Sequence, residues 1–210
     1  MLASYAELRR MAPDALRMAG FSLSQADESA ETLAWTEAAY GGALRFLLDH
    51  LPCGGPAPAG LISETNKSAT YDCTGRSLLE LGGRLIDYAR AKAHCSATRS
   101  FTLHVTRTAG PDFLTYPSLI AAQEGYRLSS ELVDDGELTI HCTAVSPRTL
   151  RNLQPLAPRE IPIPPGERAR PFQHALRHGI ETNDNDYAGF ASLVSQIRIP
   201  TSERSRGQAG

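Results

Sequence analysis

The cysteines of this sequence have none of the spacings that staple or metallate small proteins. Its four cysteines, Cys53, Cys73, Cys95 and Cys142, form no CxxC pair and no dense framework, which excludes a zinc ribbon and a disulfide scaffold. No G-x-G-x-x-G follows a strand pattern, so the dinucleotide fingerprint is absent, and no G-x-S-x-G elbow presents a serine nucleophile. An excess of either charge is also lacking: 21 Lys and Arg stand against 23 Asp and Glu. That balance leaves no electrostatic footprint for nucleic acid or an acidic membrane surface. No apolar run is long enough to span a bilayer, and no basic start leads into an apolar stretch with a small-residue cleavage site. The expectation is a cytoplasmic protein with reduced thiols, with no nucleic acid and no membrane among its partners.

What is present is an ordinary globular composition, 41% hydrophobic and 21% charged over 210 residues, long enough for a core that folds without staples. Residues 1–51 read as helical. Ser4 and Glu7 suggest a capping box, Gly20 a stop, and Pro13 either a kink or a division into two pieces. A second helix is expected from about Ser24, with Ala26, Ala30, Leu33 and Ala34 on one stripe up to Gly41-Gly42, and a third over 43–50. Pro52 to Pro58 is a connector. A short strand near 70–73, a helix over 77–93 with Leu78, Leu81, Leu85 and Ala89 inward, and a strand over 101–107 follow. Pro117 opens a short helix ending at Gly125, and Asp134-Asp135-Gly136 joins strands 126–133 and 137–145 in a hairpin. Strand, helix, then hairpin implies one parallel crossover and one antiparallel pair.

The expected fold class is therefore α+β: a helical N-terminal part, a small mixed β-sheet with a crossover helix, a proline-rich extended segment and a C-terminal helix. The boundaries read as an α+β core over 1–146 (helical 1–51, mixed sheet 68–146), a proline-rich segment over 147–171, and a C-terminal helical unit and tail over 172–210. In that unit Asn183 or Asp184 caps a helix carrying Tyr187, Phe190, Ala191 and Val194.

Two stretches alternate alike: Phe101-Thr102-Leu103-His104-Val105-Thr106 and Leu138-Thr139-Ile140-His141-Cys142-Thr143. In strands, each buries an apolar row and presents Thr, His, Thr on the other face. Paired in one sheet, they would gather two imidazoles and four hydroxyls. Imidazole exchanges protons near neutral pH, so His104 and His141 are the candidate catalytic residues. The blander alternative is a solvated sheet face on which threonine is a common β former. His94-Cys95 and His141-Cys142 are adjacent pairs, but strand neighbours point to opposite faces and cysteine serves as apolar filler, so no metal is expected. Gly75-Arg76 before a helix could hold an anion, while Gly82-Gly83 inside the helical pattern suits close packing. In the tail, Ser202, Glu203, Ser205 and Arg206 precede glycines, a set suited to a carboxylate or to a frayed polar end.

Two family resemblances rest on particular residues. Ala19-Gly20-Phe21-Ser22 and Tyr40-Gly41-Gly42-Ala43-Leu44-Arg45, within Leu16 to Leu51, resemble the opening of the malate/L-lactate dehydrogenase family that lacks a Rossmann fold. Looser similarity continues through 89–93, 107–110 and 144–147. The family has Ser-His-Gly followed three residues later by Arg; Gly42 and Arg45 keep that pattern, whereas Tyr40-Gly41 replaces Ser-His. Where the family has Asn-His-Phe-Gly with its proton-transferring histidine, this chain has Ala109-Gly110-Pro111-Asp112. The resemblance thus implies a related scaffold without hydride transfer, and no cofactor is expected. Separately, 7–20, the Trp35 region, 179–187 and the ending Pro200 to Gly210 are similar to a bacterial family with no assigned activity.

The functional expectation combines these readings. A small carboxylate or amide would be bound by Arg45, Tyr40, Ser202 and Arg206 and worked on by His104 and His141. A homodimer is expected, from the dimeric habit of the related dehydrogenases. The alternative is a non-catalytic or regulatory subunit of a partner enzyme.

Overall fold

The computed structural model describes residues 1–51, 59–145 and 172–197. Helix α1, Tyr5–Met18, begins where the Ser4 hydroxyl accepts the Glu7 N–H at 3.1 Å. It runs as one helix through Pro13, so the two-piece alternative does not hold. The ring costs the helix a single backbone donor, while Leu8, Met11, Ala12, Ala15 and Leu16 bury a continuous stripe across it. Helix α2, Leu23–Tyr40, starts slightly earlier than its apolar stripe suggests, because Ser22 and Gln25 close a reciprocal capping box. Helix α3, Ala43–Asp49, has no cap from its own N-terminal side chain. Glu37, 3% exposed, supplies one from α2 by accepting the buried Leu44 N–H at 3.1 Å.

The sheet is mixed and ordered β2-β3-β4-β6-β5. Its strands are β2 (Gly60–Glu64), β3 (Ser68–Asp72), β4 (Ser100–Thr106), β5 (Tyr126–Asp134) and β6 (Glu137–Ala144). Helix α4, Leu78–Cys95, makes the crossover from β3 to its parallel neighbour β4. A 3-10 turn at Pro111–Leu114 leads into α5, Thr115–Gln123, ahead of the β5–β6 hairpin. That hairpin turns at Asp135-Gly136, where Gly136 takes φ +77°. After residue 171 come α6 (Phe172–His178) and α7 (Asp184–Ile197), the latter capped by Asn183, whose Oδ1 accepts the Asn185 N–H at 2.9 Å. Between them β7, Ile180–Glu181, pairs with β1, Leu2–Ala3.

The helices stack on one face of the sheet and the fold is α+β. Phe101, Leu103, Val105, Leu138, Ile140 and Cys142 point to the α4 side and are buried with Leu78, Leu81, Leu85, Ile86 and Ala89. Helices α1, α2, α3 and α7 pack beyond, and Gly82 lets the Leu114 side chain approach, as its own Cβ would lie 3.2 Å from it. The opposite face carries the alternate residues of every strand. His104, His141, Thr143, Arg127 and Ser129 are all exposed there.

Candidate functional site

The pairing of β4 with β6 sets Thr102 opposite His141 and His104 opposite Thr139. Paired residues share a face, so the two imidazoles are diagonal neighbours, roughly 7–8 Å apart by Cα. Each ring is held on one side: His141 Nδ1 lies 3.1 Å from Thr102 Oγ1, and His104 Nδ1 lies 3.1 Å from Thr139 Oγ1. With Nδ1 engaged, Nε2 is the nitrogen each ring has left for a ligand. A threonine that donates to Nδ1 leaves Nε2–H as a hydrogen-bond donor; one that accepts leaves Nε2 unprotonated, an acceptor and base. Strand β5 widens the face, since Arg127 stands opposite Thr143, Ser129 opposite His141 and Glu131 opposite Thr139. Among the described residues Arg127 makes no ion pair, and it is diagonal to His141. Sequence reasoning passed over this arginine, although its alternation with Ser129 and Glu131 is the same period-two signal.

At one end of the face Asp72 is held by Arg107, whose Nε donates at 2.8 Å, and it accepts the Thr74 N–H at 2.8 Å. The guanidinium and that N–H hold the Asp72 carboxyl below its ordinary range. Arg107 itself sits at φ +53°.

The remaining residues read from sequence fall elsewhere. Arg45 belongs to the helical layer, where its Nε donates to Asp49 at 2.8 Å and its Nη1 to Asp186 at 3.5 Å. Tyr40 ends α2 with its ring edge-on to Trp35 at 5.7 Å. Burial pushes its phenol up, against a hydrogen bond with Thr115 and with the help of the nearby Asp112 charge. Tyr40 and Arg45 lie on helices while both imidazoles lie on sheet strands, and no hydrogen bond or ion pair among the described residues joins the two sets. Ser202 and Arg206 lie outside the described residues. The Gly75-Arg76 anion cradle is overturned: the Gly75 N–H donates to the Arg107 carbonyl at 2.7 Å, and Arg76 Nη1 pairs with Glu80 at 3.1 Å. Backbone donor and guanidinium are both consumed by the fold.

Around Tyr40 the two motif segments quoted above meet. Gly110 takes φ +74°, and a Cβ there would come within 2.7 Å and 2.9 Å of the Phe113 ring and 2.9 Å of the Phe46 ring. This is the position that the resemblance aligns with the family's histidine, and it has no room for a side chain.

Among the described residues, Cys73, Cys95 and Cys142 have no part in either cluster. Burial pushes the thiols of Cys73 and Cys142 up to about 11, which keeps them protonated. Cys95 and His94 rim a shallow cleft of about 410 Å³ with Asp87, Arg90, Ala91 and Tyr126, on the α4 side of the sheet. No group of three metal-ligating side chains occurs among the described residues. His174 and His178 stand four apart on α6, a helical spacing that the sequence displays and that the expectation of no metal overlooked.

No protein-family profile and no curated protein matches the sequence. Solved structures do match the fold. The chain overlays 62% of its length on the malate dehydrogenase of Entamoeba histolytica, with 19% identity and a TM-score of 0.51. It overlays the same share on the malate dehydrogenase of Pyrococcus horikoshii, with 16% identity and a TM-score of 0.52. A dehydrogenase from Sinorhizobium meliloti matches over 92% of this chain and 99% of its own, with 13% identity and a TM-score of 0.60. In fold the chain is similar to these dehydrogenases. The chain spans only 38% and 39% of the length of the first two enzymes, and at these identities the likeness is one of architecture. On this dehydrogenase-like scaffold, chemistry has to be argued from the side chains present. No helix among the described residues is long and apolar enough to cross a membrane.

Proposed function

We propose that this dehydrogenase-like scaffold binds, and in the enzymatic reading converts, a small carboxylate or amide on the open face of its sheet. The observation that carries this reading is the shared face of His104 and His141, each anchored through Nδ1 to a threonine of the neighbouring strand. Arg127 takes the place that sequence reasoning gave to Arg45: it stands on that face beside Thr143, where its fork can accept a carboxylate in two parallel hydrogen bonds. The threonine and serine hydroxyls then orient the rest of the ligand, and the imidazole Nε2 atoms supply the proton donor or acceptor. Self-association belongs to the same proposal, since the outer strands expose Leu61, Ile62, Leu132 and Val133.

A thermal-shift screen of the full chain over small carboxylates, amides and nicotinamide cofactors tests the proposal. A rise of several degrees with a carboxylate or amide is expected, lost in Arg127→Ala and in the double variant His104→Ala/His141→Ala. An undiminished shift in both variants would place the ligand elsewhere, and a response confined to nicotinamide cofactors would restore the hydride-transfer reading. The second reading, a non-catalytic subunit, draws on the closed position at Gly110. A stoichiometric partner enzyme co-purifying from the native host, with no ligand response of the isolated chain, would favour it.

A further inference from the structure

Helix α6 is fixed by one face. The Phe172 ring stands 5.9 Å from Trp35 and 5.1 Å from Tyr5, and Ala175 is buried. His174 and His178 are both exposed, and their spacing of one helical turn puts them together on the outer face. Their ring centroids are 4.4 Å apart with planes inclined by 35°. Neither ring makes a hydrogen bond to a described residue, so nitrogens on both remain available as donors to an ion.

The separation is close to what chelation demands. Two imidazole nitrogens each about 2.0–2.1 Å from one ion, at right-angle to tetrahedral N–metal–N angles, put their ring centroids roughly 4.5–5.2 Å apart. Opening the observed pair by a few tenths of an ångström meets that range, a movement within reach of surface rotamers. The helix has already brought the two ligands together, so little ordering cost remains on binding. Arg177 is next to His178 in sequence but projects about 100° further round the helix.

We propose that His174 and His178 form a two-imidazole clamp for a divalent transition-metal ion, copper(II), nickel(II) or zinc(II). Neutral imidazole suits these borderline metals, and calcium or magnesium, which require oxygen donors, are refused. No third ligand comes from the described residues, so water or the carboxylate of a bound molecule completes the coordination. The clamp is independent of the sheet face and of any reaction there.

Calorimetric titration of the full chain near neutral pH with copper(II), nickel(II) and zinc(II) separately tests the clamp. One ion per chain is expected, with copper tightest. His174→Ala and His178→Ala should each weaken copper binding roughly tenfold or more, while His104→Ala/His141→Ala leaves it unchanged. Both positions are exposed, and an unaltered far-UV circular dichroism spectrum confirms that each variant folds. The copper complex should show electron paramagnetic hyperfine splitting from two imidazole nitrogens. Wild-type affinity in either single variant, loss tracking the sheet pair instead, or a one-nitrogen spectrum would overturn the proposal.

Discussion

At the scale of single residues, Gly110 and Asp72 show how the site's surroundings are constrained. Gly110 lies in the left-handed region, where a Cβ would strike two aromatic rings. Backbone strain and overpacking add, so Gly110→Ala should destabilise the protein by about 2–4 kcal/mol in urea unfolding. Gly110→His should be at least as costly and should not confer oxidation of malate or lactate with a nicotinamide cofactor, measured by absorbance at the reduced cofactor's band. Asp72 supplies a pH dependence with a definite sign. Its folded carboxyl lies below the ordinary 3.8 because Arg107 and the Thr74 N–H favour the charged form. It therefore stabilises the fold above about pH 4, and that contribution is lost as pH falls through the folded value. Melting temperatures of wild type and Asp72→Asn should differ most at neutral pH and converge as pH falls below the folded value. A gap that persists at the acid end would show that the ion pair is not its source.

Elements depend on partners that local sequence does not display. Helix α3 takes its cap from Glu37 of the preceding helix, whose buried carboxylate receives the Leu44 N–H. Glu37→Ala should cost about 1–3 kcal/mol by leaving a buried donor unsatisfied, and Glu37→Gln, which keeps an acceptor, should cost less. Equal denaturation midpoints for both variants would argue against the cap. The same dependence explains which elements could be read in advance. The crossover helix and the Thr-His-Thr strands carry their own periodicity, and their burial largely follows it, whereas the hairpin is announced by its Asp-Gly turn and its first strand leaves Leu132 and Val133 exposed. Strand β2 has no such pattern, because as an edge strand it exposes Leu61 and Ile62 and buries nothing fully. The pairing of Leu2–Ala3 with Ile180–Glu181 is two residues long and joins opposite ends of the sequence, so only tertiary packing creates it. Arg45 and Arg127 differ in the same way: which guanidinium stands beside the imidazoles is decided by strand register, which a spacing between distant segments cannot convey.

For the whole molecule, the question is whether the C-terminal helices fold with the rest. Ala175, Ile180, Phe190 and Val194 are buried in the same cluster as the α1, α2 and α4 side chains. The N-terminal ammonium donates to the Thr182 carbonyl at 2.9 Å, and the Tyr187 hydroxyl donates to Glu7 at 2.7 Å. These contacts close the chain on itself, so the helical layer cannot be completed without residues from both ends. Trp35, the single tryptophan, reports on that layer because it touches Tyr116 and Phe172. Far-UV circular dichroism reports on helices and sheet together. If helices and sheet share one core, the two signals should fall with the same urea midpoint and the same slope. Ile180→Ala should move both midpoints down together, with a loss of about 2–5 kcal/mol. A tryptophan transition that precedes the circular dichroism change would instead mean that the C-terminal helices dock on an already folded sheet, and the imidazole face would then outlast their loss.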